Sequence, residues 1–411
     1  MAAGFRTRGE ATSASGCGST TRVRSVSSRG CNAARSFTIC LSMKVALVVH
    51  DFDPNFGHGR YAVELARRLA PHCDLHIYAN RFATAPEANL AYQRVPALRT
   101  NALSTVLTFL PAAERLLQRR HYDLIHAQGL TCWNADLITG HMCNAAKYPR
   151  LPPTTLRQQL FPLVVIPLER RFFQQTRARH LIAVSRIFAD EIRTHYGWQR
   201  PTSIIYHGTD TTTFRPAANA AERATERSHF NLTPHTWTWL FIGEAVKGLR
   251  ETLVQLPHFP NAEILVITRS QLDPYRDLAA RLGITARVRF HGYEPQPARA
   301  YRAADVLVYP SDYDPFGLVV AEAMATELPV IIGQNIGAAE WIEPGRNGLL
   351  CDPVQPATLR AALQTLAVNP ALARQLGPAA RATVEKNSWD TCATETFSIY
   401  EQLHRNRTSR T

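Results

Sequence analysis

Two acids, Asp314 and Glu322, stand eight positions apart across the junction of a loop and an apolar stretch. The loop reads Ser311-Asp312-Tyr313-Asp314-Pro315-Phe316-Gly317, and residues 318–326 are mostly small and aliphatic, which predicts a helix. Residues 306–310 just before it have the pattern of a buried strand. A helix start exposes unpaired N–H groups, which suit an anion or a polar sugar. Glu322, set among apolar neighbours, needs a partner, and a ligand diol such as a ribose 2′,3′ pair would supply one. The plainer reading makes Asp314 a helix cap and Glu322 half of a structural ion pair. Spacing alone leaves the two open.

Two other loops could carry chemistry. Gly57-x-Gly59-x-x-Ala62 matches the dinucleotide fingerprint in form, with glycines that let backbone approach an anion. Seven residues, 50–56, separate it from the strand, and the second strand ends at Asn80 rather than at an acid, so a nicotinamide cofactor is disfavoured. In the other loop a strand ends at Gly243 and is followed by Glu244 and Lys247, with a helix expected from about Gly248. A lysine placed there reaches a diphosphate; a solvated surface lysine is the commoner fate.

These loops need elements to hold them. From Met43 onward short apolar runs alternate with amphipathic stretches. Strands are expected at 44–49, 75–78, 124–127, 137–139, 181–184 and 203–206, then at 239–242, 264–267, 288–290, 306–309 and 330–332. Helices are expected at 61–69, 103–120, 318–326, 363–375, 379–386 and 391–404. Alternation of this kind predicts an α/β protein with parallel, doubly wound sheets. The polar stretch 216–236 reads as a linker with some helix. The expected organisation is 43–215, linker 216–236, 237–387, and a final helix and tail at 388–411 packing back on the first half. Ligands of such folds sit beyond the carboxyl ends of the strands, so two halves place the site in the cleft between them.

The bulk numbers agree. The chain has 411 residues, 45% apolar, with a formal charge of +13. Residues 1–42 hold six arginines and one acid and lack hydrophobic periodicity. They read as a transit peptide or as a start codon called too early; the second is preferred, because Met43 opens a strand pattern. No run approaches the ~18 apolar residues of a spanning helix. The run 161–168 is broken by Pro162 and Pro167. Eight cysteines without C-x-x-C spacing read as reduced thiols of a cytoplasmic protein. No basic stripe interleaves with aromatics, so nucleic acid is not an expected partner. Residues 103–120 end in Arg119 and Arg120, which reads first as a core-facing helix with a solvated end; with Arg170, Arg171, Arg177 and Arg179 they also suit peripheral contact with anionic lipid on the inner face of a membrane.

The segment from Asp314 through Glu322 to Ala325 resembles the acid–seven–acid signature of the retaining GT-B glycosyltransferases of family four, the glycosyl transferases group 1 that include lipopolysaccharide-type sugar transferases. The likeness continues through Pro329, Gly337, Glu340 and Gly345 to Gly348. Upstream it takes in Ile182 to Ser185 and Ile205 to Asp210, and downstream Ser388-Trp389, covering about residues 43–404. The resemblance implies two Rossmann-like domains across a cleft, a nucleotide-diphosphate sugar as donor substrate, no cofactor and no catalytic metal. It implies that Glu322 binds ribose and that Asp314, Phe316, Gly317 and Leu318 contact sugar and phosphates. Lys247 would hold the diphosphate beside Gly243, Gly57 and Gly59 would form a closing loop, and His141 would lie beside the sugar. Asp51-x-Asp53 is similar to the metal pair of the other large glycosyltransferase architecture, but its early position suits a solvated loop better. Three positions depart from the pattern: Asp314 is shorter than the usual Glu, Glu327 stands where Gly is usual, and Glu244 stands where Arg is usual. Arg250, Arg60 and Arg269 are the candidate replacement cations. The expected function is transfer of a sugar, with retention, to a glycan or lipid-linked acceptor in cell-surface polysaccharide or lipopolysaccharide synthesis. A catalytically silent sugar-nucleotide-binding subunit and a nucleotide-sugar epimerase are the alternatives.

Overall fold

The computed structural model describes residues 43–55, 57–83, 89–151 and 156–408. The expectations for residues 1–42, with Cys17, Cys31 and Cys40, fall outside them. The first half contains β1 Lys44–Val48, β2 Asp51–Phe52, β3 Asp74–Ala79, β4 Arg81–Phe82, β5 Ala91–Arg94, β6 Leu124–Gln128, β7 Leu137–Gly140, β8 His180–Ala183 and β9 Thr202–Ile204. Seven of these form a parallel sheet in the order β5-β3-β1-β6-β7-β8-β9, and β2 pairs with β4. The second half contains β10 Trp237–Ile242, β11 Ala262–Ile267, β12 Val288–His291, β13 Val306–Tyr309, β14 Val330–Gly333 and β15 Leu349–Cys351, all parallel in the order β12-β11-β10-β13-β14-β15. Crossover helices cover both faces of such sheets, so central strands are apolar throughout rather than alternating. β13 is buried at all four positions and β11 at all six.

Four expectations need correction. The stretch 216–236 holds the expected helix, Ala220–His229, but that helix is built into the second half rather than tethering the two. Its Arg227 is buried and donates to the carbonyls of Ala303, Thr233 and Thr236, and its Glu226 accepts from Arg299 and Arg302. Charged residues that satisfy a packed interface look like a polar tether in one dimension. The expected helix 363–375 is two helices, Pro356–Val368 and Pro370–Val384. Asn369 caps the second through Leu372 N, and Pro370 fits its first turn. Residues 161–168 lie inside the helix Leu156–Gln175 despite Pro162 and Pro167. Asp53 is not solvated: it is 2% exposed, accepts from Asn55 N and Nδ2, and lies where Gly59 comes within a Cβ's reach of its carbonyl.

The halves are fastened by polar groups from opposite sides. Tyr313 OH accepts from Cys143 N at 2.8 Å and donates to Cys143 O at 3.1 Å. Glu340 accepts from Arg186 N, Ile187 N and Tyr206 OH, capping the helix Arg186–Tyr196 from across the interface. The last helix, Trp389–Thr408, returns to the first half. Its Trp389, Cys392, Phe397, Tyr400 and Leu403 join the core under the helix Gly57–Leu69. Tyr400 OH lies 2.7 Å from His126 Nδ1. The crossing is tight at Gly208, where an added Cβ would sit 2.3 Å from Trp389 Cα and N. Gly208→Ala should therefore lower stability by about 1–3 kcal/mol. Urea denaturation should show a lower midpoint with an unchanged slope.

Candidate functional site

Loops past the carboxyl ends of β1, β7, β8, β9, β10, β11, β12 and β13 line one cleft of about 800 Å³. Each arises for a local reason. After β13, Gly317 takes a φ of +99°, which turns the chain into the helix Leu318–Ala325 without a side-chain cap. The Val320 N–H closes back on Gly317 O at 2.9 Å, which leaves those of Leu318 and Val319, both lining the cleft, without an intrahelical partner. After β10, Gly243 (φ +131°) and Gly248 (φ +108°) bracket a single 3₁₀ turn, Ala245–Lys247, which sets Lys247 over the β13 loop. Glu327 at the far end of the helix carries a φ of +58°, the left-handed backbone that favours glycine.

The cleft brings together Lys247, Asp314, Glu322, His141, Gly57, Gly243, Phe316, Gly317, Leu318, Arg60 and Arg269. Gly59 does not line it; it is buried against the Asp53 loop. Arg250 is exposed and lies outside the lining. Asp314 Oδ2 accepts from Lys247 Nζ and from Tyr309 OH, both at 2.9 Å, while Oδ1 accepts from Phe316 N at 3.3 Å. Burial works against both charges. The pair nevertheless leaves the Asp314 carboxyl below its ordinary range and the Lys247 ammonium above its own. Glu322, 6% exposed, accepts from Arg60 and from Tyr301 OH. Burial lowers the Arg60 guanidinium, but the Glu322 charge outweighs it. Both acids are thus in ion pairs, and both also wall the cleft.

The lining holds three cations, Arg60, Lys247 and Arg269, against five carboxylates, Asp210, Glu244, Glu294, Asp314 and Glu322. Arg269 lies 4.0 Å from the centre of the Tyr293 ring. Glu244 is exposed at the rim and makes no cap for the turn it precedes. Lys147 was not singled out in the sequence. Burial pulls its ammonium down, and it feels the charges of Glu244, Lys247 and Asp314 from the opposite half.

Sequence reasoning named His141 and Phe316 but missed that they meet His207 and, beneath the lining, Tyr61 and Trp389. Tyr61, His141, His207, Phe316 and Trp389 form one aromatic cluster, with ring centres 4.9–6.1 Å apart along its contacts. His141 Nε2 is 2.7 Å from Gln128 Oε1, an acceptor, so the imidazole donates there. The His207 ring nitrogens are sealed from solvent and have no hydrogen-bond partner among the described residues. Only a run of aromatic types in strand exits could have hinted at the cluster, and no spacing rule covers it.

Burial holds the imidazoles neutral. His50 lies at about 4, and His126 and His207 at about 3; His141 is also lowered. The unfolded chain takes up these protons below about 6.5, and the folded chain does not. Stability is therefore unaffected by them above that pH and falls as pH drops toward 4, by up to about 1.4 kcal/mol per unit for each histidine. Glu169 and Glu191, raised by burial to about 7, oppose this over part of the window. Urea denaturation at pH 7 and pH 5 should show a net loss on acidification. His207→Asn should lose about one histidine's share of it.

Residues 57–213 match the family described as Glycosyltransferase Family 4, and residues 240–383 match Glycosyl transferases group 1. The chain is 34% identical over 253 residues to the D-inositol 3-phosphate glycosyltransferase of Streptomyces avermitilis, across 56% of this chain and 54% of that protein. The matched stretch thus spans about half the length of that relative. Among solved structures, sucrose-phosphate synthase from Thermosynechococcus elongatus superposes with a TM-score of 0.76 at 24% identity, covering 89% of this chain and 100% of that one. Anabaena HepE in complex with UDP and glucose superposes with a TM-score of 0.67 at 17% identity, covering 87% and 99%. At these identities the superpositions establish the fold, two Rossmann-like domains of the GT-B type.

Proposed function

Because the chain belongs to the GT-B glycosyl transferases of family four, we propose that it moves a sugar from a nucleotide-diphosphate sugar to a hydroxyl-bearing acceptor with retention of anomeric configuration. The observation that carries this reading is the convergence of Lys247, Asp314, Glu322 and the start of the helix Leu318–Ala325 on one cleft. Departure of a nucleoside diphosphate builds negative charge where Lys247 and the helix N–H groups stand, which stabilises it as it develops. Positive charge builds on the sugar ring, where the nearby imidazoles are neutral and do not oppose it. Asp314 and Glu322 are each engaged by two donors, so neither serves as a free nucleophile. That favours attack by the acceptor from the leaving-group face, with its proton passing to the departing diphosphate. UDP and glucose bound in HepE support a nucleotide sugar as donor, and Arg269 stacked on Tyr293 offers a surface for its base. No metal or cofactor enters the proposed step.

A glycan or lipid-linked acceptor, in cell-surface polysaccharide or lipopolysaccharide synthesis, suits the outside of the first half. Leu107, Leu160, Leu163 and Val164 are exposed there, as are the basic residues Arg119 and Arg170. No helix among the described residues is long and apolar enough to cross a membrane. Contact with anionic lipid on an inner membrane face would be peripheral. The second reading is a catalytically silent sugar-nucleotide-binding subunit. It is favoured by the excess of carboxylates in the lining and by Glu244.

Lys247→Ala should lower turnover about 100-fold or more, in line with loss of one group that stabilises leaving charge. Glu322→Gln should mainly raise the donor KM. Transfer or donor hydrolysis measures both, and unchanged turnover and KM in the two variants would remove the site assignment. Glu244→Arg should tighten nucleoside diphosphate binding, read as a larger thermal shift at fixed ligand. No thermal shift of the native protein with any of a panel of nucleotide sugars would leave the enzyme reading without support.

A further inference from the structure

We propose that a second cavity, at the sheet edge of the second half, binds a sugar phosphate: Arg276, Arg289, His229 and His291 take the phosphate, and Asn231 and Thr285 take hydroxyl groups. The proposal is independent of the donor reading above, because this cavity and the cleft share no lining residue.

The cavity measures about 510 Å³, which falls within the range of roughly 300–1,000 Å³ typical of small-molecule sites. Three elements wall it. The helix Ala220–His229 ends there, the helix Asp273–Arg281 presents Arg276, and β12, the edge strand of its sheet, brings Val288 through His291. Asn231 turns the chain just past the first helix with a φ of +52°, a left-handed conformation that asparagine tolerates better than most residues.

Charge sets this cavity apart. Two guanidiniums and two imidazoles line it with no carboxylate, whereas five carboxylates line the cleft. The acids that meet these bases are buried and lie outside the lining. Glu294 Oε2 is 3.2 Å from His229 Nε2 and 3.5 Å from His291 Nε2, and Glu263 is 3.6 Å from Arg289. Arg289 is fixed in one orientation, since Nε donates to Asn231 O at 3.0 Å and Nη1 to Ala286 O at 2.6 Å. The Arg276 guanidinium rests 5.0 Å from the centre of the Phe290 ring and makes no hydrogen bond or ion pair among the described residues. An oriented guanidinium beside an unpaired one matches the planar, two-point recognition of phosphate oxygens.

The walls also choose the body that carries the phosphate. A nucleotide base needs an open aromatic face to stack on. Phe230 is buried and meets His229 and His291 edge to face, and Arg276 occupies the face of Phe290. The exposed side chains that remain, Asn231 and Thr285, are an amide and a hydroxyl, which pair with hydroxyl groups. A compact, hydroxyl-rich phosphate ester fits both conditions.

Calorimetry on the full chain at low ionic strength tests this with glucose 6-phosphate, mannose 6-phosphate, glucose 1-phosphate, inorganic phosphate and glucose. Arg276→Gln, Arg276→Lys and Lys247→Ala are measured beside the wild type. At least one sugar phosphate should bind with a Kd of about 1 mM or below, about tenfold or more tighter than inorganic phosphate, and glucose should give no heat at that concentration. Arg276→Gln should weaken that sugar phosphate about fivefold or more, and Arg276→Lys, which keeps the charge but loses the fork, should weaken it less. Arg276 is exposed, so the Gln variant should melt with the wild type. Lys247→Ala should leave the affinity within about twofold, because Lys247 belongs to the cleft. Affinity that falls with Lys247→Ala and holds with Arg276→Gln puts the phosphate in the cleft and overturns the second site. Inorganic phosphate bound as tightly as every sugar phosphate overturns the class of ligand. No binding of any of the three sugar phosphates overturns the proposal outright.

Discussion

A carboxylate placed in an apolar helix must be compensated where it stands. Glu322 sits among Val320, Ala321, Ala323, Met324 and Ala325, all buried, and its own exposure is 6%. Loss of one partner from such a buried pair costs about 3–5 kcal/mol, because the other charge is left alone in a poor solvent. The need is met by Arg60, which is 262 positions away in sequence, and by Tyr301. Much of the cleft follows from that requirement. Arg60 can reach Glu322 only if the start of the helix Gly57–Leu69 is held against the second half. The Asp53 loop is folded around Asn55 and pressed on Gly59, and Asn55 Oδ1 accepts from Tyr293 OH of the second half at 2.8 Å. A ligand hydroxyl that uses Glu322 therefore enters an existing network and shares it with Arg60 and Tyr301.

The same logic recurs where the two halves meet. The helix Arg186–Tyr196 begins with Ser185, whose hydroxyl accepts from Phe188 N and donates to Pro315 O in the other half. Glu340 then satisfies Arg186 N and Ile187 N, so one helix start is completed by two halves of the chain. Buried backbone donors require partners. Here that requirement sets the separation of the halves, and with it the width of the cleft between Phe316 and the β7 exit.

The strands were legible because both faces of a parallel sheet are covered and the runs are apolar throughout, as in β11 and β13. The Asp314–Glu322 segment was legible because one strand, loop and helix carry it. What could not be read were contacts between distant segments. Nothing local in Arg60 announces Glu322, and nothing in Tyr301 does either. The spacing of Lys247 could suggest a ligand but not its ion pair with Asp314. His207 and Tyr61 belong to no local pattern, since each gains meaning only when β9, the first helix and the last helix meet. The polar stretch 216–236 misled for the opposite reason: Glu226 is satisfied by Arg299 and Arg302, and Arg223 by Asp305, all more than 70 positions away, and composition alone reads such charges as solvated.

The last helix also imposes an order of events on synthesis. Trp389, Cys392, Phe397, Tyr400 and Leu403 close the core that Val45, Leu47, Tyr61 and Leu65 begin. As the polypeptide leaves the ribosome, this apolar face of the first half stays open while the whole second half is translated, because its cover follows that half in the chain. During that interval the nascent chain presents an adhesive surface, the kind that chaperones shield. Of the two halves, the one made earlier is thus completed later.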